Sequence, residues 1–314
     1  MSEKKPLIII GGATAVGKTK VSVELAKAAG GEIISADSMQ IYKGMDIGTA
    51  KVTKEEMQGV SHFMIDEVDP GCDFNVYEFK LRAKKHIESI CGRGHIPVLA
   101  GGTGFYIQSV LYDIDFTDED GQSRYRSFLE NQDPHKLYEM LKKADPDSAG
   151  LIHPNNKKRI IRALEYFHNT GIPISEHNRQ QHQKEPPYNF AYFVLNRSRK
   201  AIYERIERRV DLMMEQGLTD EVKGLLESGV SKDSLSMQAI GYKEIIEYLE
   251  GKITREEAAA LIKLNTRHFA KRQITWFKRE KEAVWINYED YSCEEEMLCA
   301  MMNILKEKNI VQLS

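Results

Sequence analysis

Eight residues, Gly12-Ala13-Thr14-Ala15-Val16-Gly17-Lys18-Thr19, follow the spacing G-x-x-x-x-G-K-[ST]. Glycines in such a loop let backbone N–H groups converge on phosphate oxygens. Lys18 carries a cation to the outer phosphates, and Thr19 offers a hydroxyl to Mg²⁺. The pattern specifies a diphosphate, not a nucleotide. Asp37, in Ser35-Ala36-Asp37-Ser38, is the next group with chemical promise. Its carboxylate has the position of a general base, of a magnesium ligand acting through water, or of a turn or N-cap residue, and spacing alone does not choose among them. Phe63-Met64-Ile65-Asp66 imitates the apolar run and aspartate of an NTPase metal site, although the run is short.

The elements that must carry these groups can be read from periodicity and punctuation. Lys5 to Ile10 is an apolar run closed by glycines, as in a buried parallel strand. Lys18 to Ala29 reads as a helix stopped by Gly30-Gly31, and Glu32 to Ser35 as a second strand, which makes a βαβ-type start. Phe74 to Cys91 has helical period, and Ile96 to Ala100 is a strand running into Gly101-Gly102-Thr103-Gly104. Glycine-rich turns at the C-terminal ends of parallel strands line the ligand crevice of an open sheet. Asp113 to Asp120 reads as an acidic linker, Arg124 to Lys143 and Asn156 to Asn169 as helices, and Gly171 to Tyr188 as irregular and mobile. Ala191 to Leu195 returns as a strand. The helix Ile202 to Gly217 carries Ile202, Ile206, Val210 and Met213 on one stripe. Further helices are expected at 219–226, 242–250, 255–281 and 293–306, with a strand at 283–287. The fold class expected is α/β: a P-loop NTPase-like parallel sheet core from residues 1–112 and 191–314, interrupted by a helical insertion over 113–190.

Composition bounds the function classes. The 314 residues are 41% hydrophobic and 29% charged, with a mean hydropathy of -0.46, the balance of a water-soluble globular chain. No apolar run approaches the ~20 residues of a membrane span, and the start, Met1 to Lys5, precedes too short a core for a signal peptide, so a cytoplasmic location is expected. Cys72, Cys91, Cys293 and Cys299 form no C-x-x-C pair, which leaves zinc without support. Net charge is only -3, yet it is unevenly spread. His153 to Arg209 holds twelve Lys/Arg against five Asp/Glu, and Lys263 to Lys281 holds seven against Glu280 alone. A basic surface on an otherwise acidic chain suits a localised polyanion site.

Several stretches go further. Asp37-Ser38-Met39-Gln40-Ile41-Tyr42-Lys43-Gly44-Met45-Asp46-Ile47-Gly48-Thr49-Ala50-Lys51 resembles the signature of tRNA dimethylallyltransferases. Gly101 to Tyr106, His153 to Glu165, Arg205 to Val210, Gln238 to Glu244 and Lys271 to Phe277 match the same family in order. Eukaryotic members often add a C-terminal zinc finger, and none is visible here, which implies the bacterial type. The resemblance implies transfer of a dimethylallyl group from dimethylallyl diphosphate to N6 of the adenosine 3′ to the anticodon of tRNA, and a monomer is expected. It implies that Asp37 is the base and that Asp66 is no metal ligand. Catalysis is expected from Asp37, Thr103, Lys18 and Arg208, and Arg205 is the alternate arginine for the diphosphate. Gly12, Ala13, Thr14, Ala15, Val16, Gly17, Lys18 and Thr19 would hold that group, with Mg²⁺ on Thr19. The RNA surface expected comprises Ser38, Met39 and Gln40; Arg126; Lys158, Arg159 and Arg162; Gln238, Gly241, Tyr242 and Lys243; and Lys271, Arg272 and Gln273. The rival from the shared loop is a small-molecule or nucleoside kinase that turns over ATP.

Overall fold

A computed structural model describes residues 4–116 and 124–311. Six parallel strands form one sheet: β1 (Lys5–Gly12), β2 (Gly31–Ser35), β3 (His62–Phe63), β4 (Ile96–Gly101), β5 (Tyr188–Asn196) and β6 (Ala283–Asn287). Their order is β3-β2-β4-β1-β5-β6. Strand β1 is central, with Ile8 opposite Val98 on one side and opposite Ala191 on the other. Leu7, Ile8, Ile9 and Ile10 are fully buried, because helices cover both faces of a parallel sheet. Each such side chain contributes roughly 1.5–3 kcal/mol of burial free energy. The core on one face joins Ile8, Ile10, Val21, Leu25 and Phe193 to Met297, Met301 and Leu305 of the last helix, Glu294–Glu307.

Strand order places the C-terminal ends of β1, β2 and β4 side by side, so the turns that follow them share one edge. These turns are the glycine loop after β1, the segment with Asp37 after β2, and Thr103 after β4. Two helices flank that edge. Arg199–Glu215 is capped by Ser198, whose hydroxyl accepts the Ala201 N–H. Arg255–Phe277 begins in a reciprocal capping box of Thr254 and Glu257.

Contacts divide the chain into one unit of residues 1–111 and 187–314 and a second of 112–186. The second unit is helical, with Leu129, Leu137, Leu141, Ile160, Ile161 and Leu164 at its centre. Its expected first helix is two, Arg124–Glu130 and Pro134–Ala144. Pro134 cannot continue a preceding helix, and Asp133 caps the new one by accepting the His135 and Lys136 N–H groups. The polar stretch after Gly171 is not irregular either: it holds a helix, Ile174–Gln183. Asp145 anchors that helix. One carboxylate oxygen accepts the Ser148 N–H and the Ser175 hydroxyl, and the other accepts the Ser148 hydroxyl and the Ser175 N–H, at 2.6–3.0 Å. Of the linker expected at 113–120, residues 117–120 lie outside the described residues.

Candidate active site

The glycine loop turns from β1 into the helix Lys18–Ala29 through Gly17, at φ 112° and ψ 19°, a left-handed conformation that side chains with a Cβ resist. The loop's carbonyls find donors in nearby side chains. Lys18 Nζ donates to the Gly12 and Ala13 carbonyls at 3.0 and 2.8 Å. Arg205 Nε donates to the Ala15 carbonyl at 2.6 Å, and Arg197 Nε donates to that of Val16 at 3.0 Å. Ala15 itself has φ 62°, a conformation that costs a non-glycine residue about 1 kcal/mol and that the Arg205 bond helps hold. Arg197 is fixed in turn by stacking 3.3 Å over the Tyr288 ring. Sequence reasoning missed this pair, since Tyr288 opens a segment without diagnostic residues.

Lys18, Thr19, Ser35, Asp37, Gln40 and Gly101 line one cleft, together with Ile33, Val52, His62 and Ile65. The cation and the carboxylate that the sequence singled out thus meet across the sheet edge. Burial lowers the Lys18 ammonium to about 8, against the pull of Asp37 and with the push of Arg209. Asp37 Oδ1 accepts the Met39 N–H at 2.9 Å. The Thr103 hydroxyl accepts the Ser38 N–H at 3.2 Å, which leaves its own proton to donate, and the Thr103 N–H donates to the Ala36 carbonyl at 3.1 Å.

Of the two arginines expected at the diphosphate, Arg205 reaches the loop and Arg208 does not. That side chain is exposed, whereas Arg209 is partly buried and its Nη1 donates to the Thr14 hydroxyl at 3.4 Å. Burial and the neighbouring Arg205 lower the Arg209 guanidinium from its ordinary value. Residues 205 and 209 are four apart, beside the buried Ile206 and Val210, and so share a helix face; this was the available signal.

Several residues expected at an RNA surface are engaged within the fold instead. Tyr242 is fully buried, and its hydroxyl donates to Glu221 Oε1 at 2.6 Å. The same carboxylate accepts the N–H groups of Asp46, Ile47 and Gly48, so Glu221 shapes the 37–51 signature loop. Gln40 turns its amide to the Thr49 and Ala50 carbonyls. Gly241 is buried and starts a helix, its N–H donating to Glu244 Oε2 at 2.8 Å. Gln273 is buried, its amide bonded to the Thr14 N–H and the Gly102 carbonyl. Arg126 is held by Glu130 and by the buried Glu165, each at 3.2 Å. Asp66 is taken by Lys51 at 2.5 Å, and Met64 and Asp66 have positive φ, so the apolar run ends at Phe63 and builds no metal site. Ser38, Met39 and Lys243 are partly exposed. Lys158, Arg159, Arg162, Gln238, Lys271 and Arg272 are exposed.

A family model described as IPP transferase matches residues 40–280, well over half of the sequence. The chain belongs to the IPP transferase family. Similar proteins include the tRNA dimethylallyltransferase of Lachnoclostridium phytofermentans, 53% identical over 312 residues, with 98% of this chain and 100% of the relative covered. That of Bacillus cereus is 47% identical, with 98% of each covered. Among solved structures, the tRNA delta(2)-isopentenylpyrophosphate transferase of Staphylococcus epidermidis superposes with a TM-score of 0.73 at 46% identity, covering 97% of this chain and 100% of the other. A eukaryotic dimethylallyltransferase acting on tRNA gives 0.84 at 30% identity, covering 96% and 80%. In this IPP transferase the full-length matches take in the glycine loop and Asp37, which precede the stretch matched by the family model. Among the described residues no helix is long and apolar enough to cross a membrane.

Proposed function

We propose that the chain transfers a dimethylallyl group from dimethylallyl diphosphate to N6 of the adenosine 3′ to the anticodon of tRNA, releasing pyrophosphate. The carrying observation is the cleft in which Lys18 and Thr19 face the same space as Asp37. A diphosphate cradle beside a carboxylate suits a reaction in which an amine loses a proton while a diphosphate leaves. The names of the similar proteins favour this over a kinase.

In the proposed step the amine nitrogen bonds to the allylic carbon as that carbon's bond to the diphosphate oxygen breaks. Asp37 takes the amine proton; its Oδ2 accepts nothing within the chain among the described residues, while Oδ1 is steadied by Met39. Negative charge grows on the departing oxygens, where Lys18, Arg209 and the loop N–H groups stabilise it. Thr103 donates its free proton to the reacting groups. Mg²⁺ would be held by the Thr19 hydroxyl, which lines the cleft with Lys18 and Asp37. When bound it supplies neutralisation of the leaving charge. The RNA surface is proposed to use the exposed Lys158, Arg159 and Arg162, and Lys271 and Arg272. The enzyme is proposed to work as a cytoplasmic monomer.

Asp37→Ala tests the base directly. Turnover should fall by ~10² or more while tRNA affinity changes little. A parallel loss of binding would make Asp37 a recognition residue.

A further inference from the structure

Gln273 is a buried polar side chain beside the glycine loop that the mechanism above does not use. It lies four residues from the end of the helix Arg255–Phe277 and is 6% exposed. Its Oε1 accepts the Thr14 N–H of the glycine loop at 2.8 Å. Its Nε2 donates to the Gly102 carbonyl at 2.9 Å, one residue before Thr103. A Cβ at position 102 would collide with that Nε2, so only glycine admits the contact. The amide therefore spans from the turn after β1 to the turn after β4. The connection continues, since Thr103 accepts from Ser38 and donates its N–H to Ala36, the neighbours of Asp37.

We propose that Gln273 is a positioning residue that fixes the diphosphate cradle relative to Thr103 and Asp37, and so sets the separation between leaving group and base. The inference rests on the prenyl-transfer reading. A primary amide is the fitting group: it accepts on one side and donates on the other without placing a charge beside Lys18 and Arg209. The β1–β4 ladder that joins the two strands ends at Gly11 and Gly101. Beyond that point the amide carries the register. A misplacement of reacting groups by about 1 Å costs roughly 10² in rate.

The test compares wild type, Gln273→Met and Gln273→Glu in steady-state dimethylallyl transfer to unmodified tRNA, with thermal unfolding measured alongside. Gln273→Met removes both hydrogen bonds at similar volume. Its kcat should fall by about 10²-fold below its unfolding temperature, with KM for donor and tRNA within about threefold of wild type. Gln273→Glu keeps the acceptor for Thr14 but donates to Gly102 only when protonated, and burial raises a carboxyl's pKa. The nearby cations Lys18 and Arg209 oppose that rise, so its kcat relative to wild type should recover only as pH falls toward the range in which the carboxyl is protonated. Wild-type kcat in Gln273→Met overturns the proposal. So does a loss confined to the KM for tRNA, which would make Gln273 a recognition residue, or a Gln273→Glu deficit that is independent of pH. A wild type that transfers no prenyl group at all would instead sink the proposed function, and this inference with it.

Discussion

Lys18 is a cation kept partly out of water, its ammonium bonded to the Gly12 and Ala13 carbonyls of its own loop. Burial lowers its ammonium to about 8. The donor's diphosphate favours the protonated form, so binding raises that value and takes up a proton as pH climbs past it. The sign follows: kcat/KM for the donor is flat below about 8 and falls above it, by up to about tenfold per pH unit. Lys18→Arg cannot titrate in this range, so its profile, measured at saturating tRNA, should lack that alkaline limb. An unchanged limb would assign the titration to another group. The residues that carry this chemistry were legible where the loop spacing dictates them, as at Lys18 and Thr19. Arg209 was not, because a helix of mixed charge does not announce which arginine lies against the loop; only the buried stripe of Ile206 and Val210 orients it.

Elements were legible where period and punctuation agree. The apolar run of β1, its glycines and the following helix stand where the spacing puts them. The misses have physical causes. A two-residue strand, His62–Phe63, is too short to show a period, and a polar helix, Ile174–Gln183, is held largely by hydrogen bonds, Asp145 to Ser175 and the Asp115 backbone to His177 and Gln181, rather than by a continuous apolar stripe. That carboxylate, Asp145, gives the element-scale prediction. Burial alone would raise its pKa, but hydrogen bonds from Ser148 and Ser175 overcome this and hold it below the usual range. Asp145→Ala leaves those donors unpaired and should cost about 2 kcal/mol or more, read as faster amide exchange in the helices starting at Pro146 and Ile174. Because the folded carboxyl is the stronger acid, its contribution is present above the unfolded pKa of about 4 and is lost as pH falls through the folded value. Equal exchange in the variant would show that the helices stand without it.

Over the whole molecule, an acidic chain presents basic patches, and only their sequence positions were visible beforehand. The fold sorts them. Lys158, Arg159 and Arg162 project from the helix Lys157–Thr170 opposite its buried Ile160, Ile161 and Leu164, whereas Arg126 and Gln273 serve the interior. Each phosphate contact contributes a slope of roughly 0.7–0.9 in log affinity against log salt. Replacing Lys158, Arg159 and Arg162 together by alanine should flatten the tRNA-binding slope by about 2. A variant with the wild-type slope would move the RNA surface elsewhere.

The central claim is that the glycine loop grips the leaving group of an isoprenoid. It is tested most directly by incubating the protein with labelled dimethylallyl diphosphate, Mg²⁺ and unmodified tRNA, with and without ATP. The account predicts label on the adenosine 3′ to the anticodon and one pyrophosphate released per transfer, with no need for ATP. ATP consumption coupled to phosphorylation of a small molecule, with no label on tRNA, would contradict it.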